Sequence, residues 1–164
     1  MSQGPPGAPP CLLIEPMLGR LATWLRILGY DAPQIPRPPA ITPPGAVLLT
    51  RRRRLAGRPG VLLITHDHLE DQLKQVLREL GLRPDPAARF SRCLVCNKVV
   101  EFLERQGAAG LVPDYTLATA QGFTRCPQCG RVFWPGSHGA RAEQRIKELL
   151  GSLPSDAPPG GAGD

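Results

Sequence analysis

The sequence predicts an α/β fold, a parallel sheet flanked by helices, followed by a small zinc-binding module. Short apolar runs alternate with segments of helical periodicity in the first half of the chain, which is typical of a parallel sheet covered by helices. Two Cys-x-x-Cys pairs stand in the second half. No apolar run approaches the roughly 18 residues of a membrane span. We therefore expect a globular protein that does not enter a membrane.

Apolar spacing and glycine positions define the elements of the sheet region. The run CLLI is uniformly apolar and predicts a buried strand. In the helix that follows, leucines recur on one face, and Gly29 provides a natural C-terminal stop. A second helix has the same apolar spacing and ends near Gly81. The predicted strands cover 11–14, 47–49 and 61–64, and the predicted helices lie at about 17–28 and within 66–82.

The carboxyl ends of these strands should form one edge of the sheet, which is where ligands bind in open α/β folds. Glu15 follows the first strand and Asp67 follows the third. Both are candidate catalytic residues that ligate Mg²⁺ or Mn²⁺, because these ions prefer carboxylate oxygens. Other roles stay open: Glu15 as the salt-bridge partner of a nearby arginine, and Asp67 as the N-cap of the second helix.

Four consecutive arginines, Arg51, Arg52, Arg53 and Arg54, follow the second strand at the same edge. From residue 32 to residue 66 the chain contains no aspartate or glutamate. The net charge of the whole chain is +6, which favours a polyanionic partner. We favour contact with nucleic-acid phosphate, because the guanidinium fork suits phosphate oxygens. The alternative is a solvated basic turn.

The cysteine spacing predicts a structural zinc site. Cys93 with Cys96, and Cys126 with Cys129, have the spacing at which one chain reversal directs two thiolates to a tetrahedral ion. A redox site or an empty site is the alternative. The N-terminus lacks the charged segment and apolar core of a signal peptide, so we expect a cytoplasmic protein with reduced thiols. Cys11 falls on a predicted strand and is interpreted as a small buried side chain.

Composition divides the chain into four parts. Residues 1–10 and 151–164 are rich in proline and glycine and are predicted to be disordered tails. Residues 11–90 are assigned to the α/β domain. Residues 91–150 are assigned to the zinc-binding module, which ends in a helix.

Four segments of the chain read EPMLGRLATWLRILGYD, VLLTRRRRL, RCLVCNK and RCPQCGRVFWPGSHG. In combination they resemble the Mut-seven C-terminal RNase domain family, over nearly all of residues 11–150. The resemblance implies a PIN-like parallel sheet, a C-terminal zinc ribbon and RNA as the partner. It also implies contact with nucleic acid for Arg20 and Arg26 in the first helix and for His138. The alternatives are solvent exposure for the two arginines and packing beside Trp134 for His138.

Three acidic positions of that family are altered in this chain. The first strand is followed by Glu15 where the family has aspartate, and the L-T-R-D motif reads Leu-Thr-Arg-Arg, ending at Arg52. A segment without acids replaces the paired aspartates after the first helix. We therefore expect an RNA-binding protein with weak or lost ribonuclease activity. The alternatives are an active Mg²⁺- or Mn²⁺-dependent ribonuclease that uses Glu15 and Asp67, with Asp31 as a further ligand, and a non-enzymatic protein-interaction module.

Overall fold

A computed structural model describes residues 7–152, so most of the two predicted disordered tails lies outside the described residues. The first half of the chain forms a parallel sheet of three strands in the order β1-β2-β3. The strands are β1 (Cys11–Ile14), β2 (Ala46–Thr50) and β3 (Val61–Leu63). The predicted α/β class with a parallel sheet is confirmed.

An extended segment lies along the other side of β1. The amide of Leu12 donates to the carbonyl of Asp31 over 2.7 Å, and Ile14 forms an isolated parallel bridge with Gln34. This segment follows the first helix, whereas β2 lies on the opposite side of β1. The connections therefore diverge at β1, and the carboxyl ends of β1 and β2 flank the topological switch point of the sheet.

Five α-helices complete the described part of the chain. They are α1 (Gly19–Ile27), α2 (Leu69–Glu79), α3 (Arg105–Ala108), α4 (Asp114–Thr119) and α5 (Ser137–Gly151). The main hydrophobic core joins the sheet to α1, α2 and α5, through buried residues such as Leu12, Leu25, Val76 and Ile146. None of the described helices combines the length and the apolar character that a membrane crossing requires.

The second half of the chain forms a three-stranded antiparallel sheet, β4 (Glu101–Leu103), β5 (Phe123–Arg125) and β6 (Val132–Phe133). It has a small core of its own around Phe123 and Ala108. One Cys-x-x-Cys pair precedes β4, and the other lies between β5 and β6. The predicted zinc-binding module, residues 91–150, includes α5, yet Ile146 and Leu149 of α5 pack in the main core. The chain thus returns to the parallel-sheet region after the ribbon.

Candidate functional site

Glu15 lies at the switch point of the parallel sheet, directly after β1, and is only 1% exposed. One of its carboxylate oxygens accepts a hydrogen bond from the hydroxyl of Thr50, the last residue of β2. The Nε atom of Arg52 lies 2.6 Å from the other oxygen, Oε1. Its N–H is not aligned for a hydrogen bond, so charge attraction holds this contact. Both oxygens of the buried carboxylate are therefore engaged by β2 and the loop after it.

Asp67 lies beyond β3 and is highly exposed. The Nη2 atom of Arg51 donates to its Oδ1 over 2.6 Å, and Nη1 of Arg51 donates to the carbonyl of His66 over 3.3 Å. This hydrogen bond, with the charge of Arg51, holds the pKa of Asp67 below its ordinary value. The alternative role of Asp67 as helix N-cap is not observed, because α2 begins after His68 and has no side-chain cap.

The remaining arginines of the arginine loop, residues 51–58, are exposed. Arg53 and Arg54 lie in a short 3-10 turn, Arg53–Leu55, which the buried Leu55 anchors. Neither of these arginines, nor Arg58, forms an ion pair within residues 7–152. The loop thus neutralises both candidate carboxylates with its first two arginines and keeps three positive charges facing solvent.

The candidate acids do not converge on one point. Glu15 and Asp67 are bound to different arginines, and Asp31 lies 3.6 Å from Arg92, beside the first cysteine pair. In the described part of the chain, the four cysteines are the one group of three or more His, Cys, Asp or Glu side chains close enough to share an ion. At this edge, each of the two candidate carboxylates is therefore paired with an arginine, and the two do not belong to one group of converging ligands.

The ligand atoms of Cys93, Cys96, Cys126 and Cys129 all lie within 4.8 Å of one another. The sulfurs of Cys93 and Cys129 are 3.8 Å apart. A tetrahedral zinc ion with Zn–S distances of about 2.3 Å separates its sulfurs by about 3.8 Å, so the cluster fits this metal. The four cysteines support the predicted structural zinc site.

The two cysteine pairs have the same backbone geometry. In each, the amide of the first cysteine donates to a carbonyl five residues later, Lys98 at 2.8 Å or Arg131 at 2.9 Å. In each, the residue after the second cysteine has a positive φ, 63° at Asn97 and 73° at Gly130. Asparagine and glycine are the residues that adopt this conformation most readily. Asn97 was missed in the sequence, although it stands at the same offset as Gly130.

The backbone of the second pair favours the thiolate form that binds metal. Burial alone would raise the pKa of Cys126, but the amides of Cys129 and Gln128 donate to its sulfur and lower the pKa to about 7. The pKa of Cys96 is raised to about 12, chiefly because its thiol hydrogen-bonds to that of Cys129. The thiolate form that zinc requires is therefore favoured at Cys126 and disfavoured at Cys96 before the metal binds.

Arg26 connects the zinc ribbon to the parallel-sheet region. It is 4% exposed, and its Nε donates to the carbonyl of Ala32 over 3.0 Å. Its Nη1 donates to the carbonyl of Leu94 over 2.7 Å and to that of Val95 over 3.2 Å. Burial lowers the pKa of this guanidinium below its ordinary value, and the charges of the nearby cysteines only partly oppose this effect. Arg26, a sequence candidate for contact with nucleic acid, thus lies inside the interface with the first cysteine pair.

The remaining sequence candidates are exposed. Arg20 lies in the first turn of α1, and His138 lies in the first turn of α5. Two contacts of the site were absent from the sequence reasoning: the hydroxyl of Thr50 on Glu15, and the side chain of Asn97, which donates to Asp31 over 2.6 Å. Both join residues far apart in the chain, and no local pattern signals them.

The family model described as Mut7-C RNAse domain matches residues 10–146. Comparisons with curated proteins and with solved structures gave no significant match. The matched range includes the whole parallel sheet, the arginine loop and all four cysteines. It supports a nuclease-like or RNA-related role. The chain belongs to the Mut7-C RNase domain family.

Proposed function

We propose that this chain binds RNA through its arginine loop and that its metal-dependent ribonuclease activity is weak or lost. One observation carries the proposal. Arg52 occupies the position of the aspartate in the L-T-R-D motif, and its Nε lies 2.6 Å from the carboxylate of Glu15. A cation here competes with any divalent ion for that carboxylate. The same edge of the sheet that would hold metal therefore attracts phosphate instead.

The distribution of charge supports RNA as the partner. Arg53, Arg54 and Arg58 are exposed and have no acidic partner within residues 7–152. Arg53 and Arg54 lie just beyond the carboxyl end of β2, at the switch-point edge where ligands of open α/β sheets bind, whereas Arg58 lies near the start of β3. Arg20 and His138 are exposed as well and add to the proposed contact surface, whereas Arg26 supports the ribbon from inside. A cytoplasmic location belongs to this proposal, because a reducing compartment keeps the four thiols available for zinc.

The test measures the affinity for a fluorescent single-stranded RNA by anisotropy at several salt concentrations. We expect affinity to fall steeply with salt, because phosphate contacts release counterions. The double variant Arg53→Ala/Arg54→Ala should bind at least about tenfold more weakly at low salt. The slope of its log affinity against log salt concentration should be smaller by about 1.4, because each of two lost phosphate contacts accounts for about 0.7.

Arg78→Ala/Arg83→Ala is the matched control. Both residues are exposed and form no ion pair within the described range, and they lie at or beyond the C-terminal end of α2, a helix about 16 Å long that begins near the edge. This variant loses the same charge and should bind like the wild type. Equal weakening by both double variants would mean that only net charge matters. Absence of RNA binding at low salt would contradict the proposal and favour the protein-interaction module.

The competing function is an active ribonuclease that uses Glu15 and Asp67. Incubation of the RNA with Mn²⁺ or Mg²⁺, beside Glu15→Gln and Asp67→Asn, separates it from the proposal. We expect at most slow cleavage, and any cleavage that persists in both variants comes from a contaminant. Efficient cleavage that either substitution abolishes would establish the competing function, with the two carboxylates released from their arginines in the complex with metal.

A further inference from the structure

A groove with a volume of about 460 Å³ lies between α1, the first turn of α2 and α5. This volume is in the range of small-ligand sites. Its floor is apolar, formed by leucines such as Leu73 and Leu149. Its rim is polar and includes cations, carboxylates and one histidine. An apolar floor with a few polar groups is the usual composition of a site for a small organic ligand.

The α1 wall of the groove presents an aromatic ring and a positive charge. Arg20 and Trp24 are four residues apart on α1, and so they lie on one face of the helix. Trp24 is half-buried against the main core, and Arg20 is exposed with no ion pair within residues 7–152. An indole ring can stack on a flat base, and a free guanidinium can bind a phosphate.

The α2 wall is acidic. Glu70 forms an ion pair with Arg145 of α5, and Asp71 has no ion-pair partner in the described part of the chain. Carboxylates repel phosphate but accept hydrogen bonds from N–H groups. These charges would orient a nucleotide in the groove with its phosphate toward Arg20 and the edge of its base toward Asp71.

The groove adjoins the arginine loop. His68 lines it, and the neighbouring Asp67 is held by Arg51 of the loop over 2.6 Å. A single strand whose phosphates lie on the loop can thus direct an adjacent nucleotide toward α1. We propose that the groove is a nucleotide subsite, in which a base stacks on Trp24 and its phosphate binds Arg20. This inference rests on the proposed function, since the loop supplies the rest of the strand.

The experiment uses tryptophan fluorescence, because the chain has two tryptophans. In Trp134→Phe, Trp24 is the one remaining reporter, and in Trp24→Phe it is Trp134. Adenosine 5′-monophosphate should quench the emission of Trp24 and leave that of Trp134 unchanged. The monophosphate should bind about tenfold more tightly than adenosine, since its phosphate adds an ionic contact. Arg20→Ala in the Trp134→Phe background should remove that difference and keep the weak binding of adenosine.

The same titrations with fluorescent RNA separate this inference from the proposed function. RNA binding that depends on Arg53 and Arg54 without any quenching of Trp24, by RNA or by the monophosphate, would overturn the subsite and leave the proposed function intact. Quenching of Trp24 by the monophosphate without RNA binding would support the subsite and contradict the proposed function. Quenching of Trp134 instead of Trp24 would move base stacking to the ribbon and overturn the subsite.

Discussion

The two groups of potential metal ligands in this chain differ in what surrounds them. At the ribbon, four sulfurs converge within 4.8 Å of one another. At the sheet edge, Glu15 and Asp67 each lie 2.6 Å from an arginine of one loop. The sulfurs therefore face one another, whereas each carboxylate faces a cation. The ligands of a metal site must converge and be free of competing cations.

Removal of one ribbon ligand should have the largest effect. Cys93→Ser should reduce the zinc content from about one ion per chain to near zero and unfold the ribbon, because metal binding of about 10 kcal/mol or more is coupled to folding in small zinc modules. Elemental analysis after purification without chelator, with circular dichroism, measures both effects. Cys11→Ser is the control, since Cys11 lies outside the cluster. Zinc retained in Cys93→Ser, or absent from the wild type, would contradict the site.

The connection between the two regions provides the next prediction. Arg26→Met removes the donor to the buried carbonyl of Ala32 and to the partly buried carbonyls of Leu94 and Val95, so we expect a loss of about 3 kcal/mol in the free energy of unfolding. Urea denaturation measures this loss, and Arg78→Met, an exposed arginine of α2, is the control. A loss below about 0.5 kcal/mol would mean that the ribbon docks without this guanidinium.

A charge reversal at the sheet edge should allow this edge to bind a divalent metal ion. Arg52→Asp sets a second carboxylate beside Glu15, where two like charges repel until a cation joins them. Mn²⁺ should then raise the melting temperature of the variant by several degrees, as expected when a ligand stabilises the native state by about 2 to 3 kcal/mol.

Two controls are needed for that experiment. The wild type should not respond to Mn²⁺, because its arginine holds Glu15, and Arg54→Asp should not respond, because Arg54 makes no contact with that carboxylate within the described residues. An equal response of the wild type would mean that the native edge already binds the metal.

The strands and helices followed local patterns closely. The run CLLI became β1 (Cys11–Ile14) within its predicted bounds, and the second helix, predicted within 66–82, is α2 (Leu69–Glu79). The first helix was predicted to begin at about residue 17, but residues Pro16–Leu18 form a 3-10 turn and the α-helix begins at Gly19. Side-chain periodicity reports which face of an element is buried, but it does not distinguish a 3-10 first turn from an α-helical one.

The sequence by itself determined each pair of zinc ligands, because two cysteines three positions apart are held together by one chain reversal. Only the tertiary structure decided the roles of the charged residues. Arg20 and Arg26 are basic residues of the same helix, yet Arg20 is exposed, whereas Arg26 is buried beneath the first cysteine pair. Likewise Arg52 meets Glu15 across 37 positions of sequence. Such pairs depend on strand register and helix packing, which bring distant residues together, and no spacing along the chain encodes them.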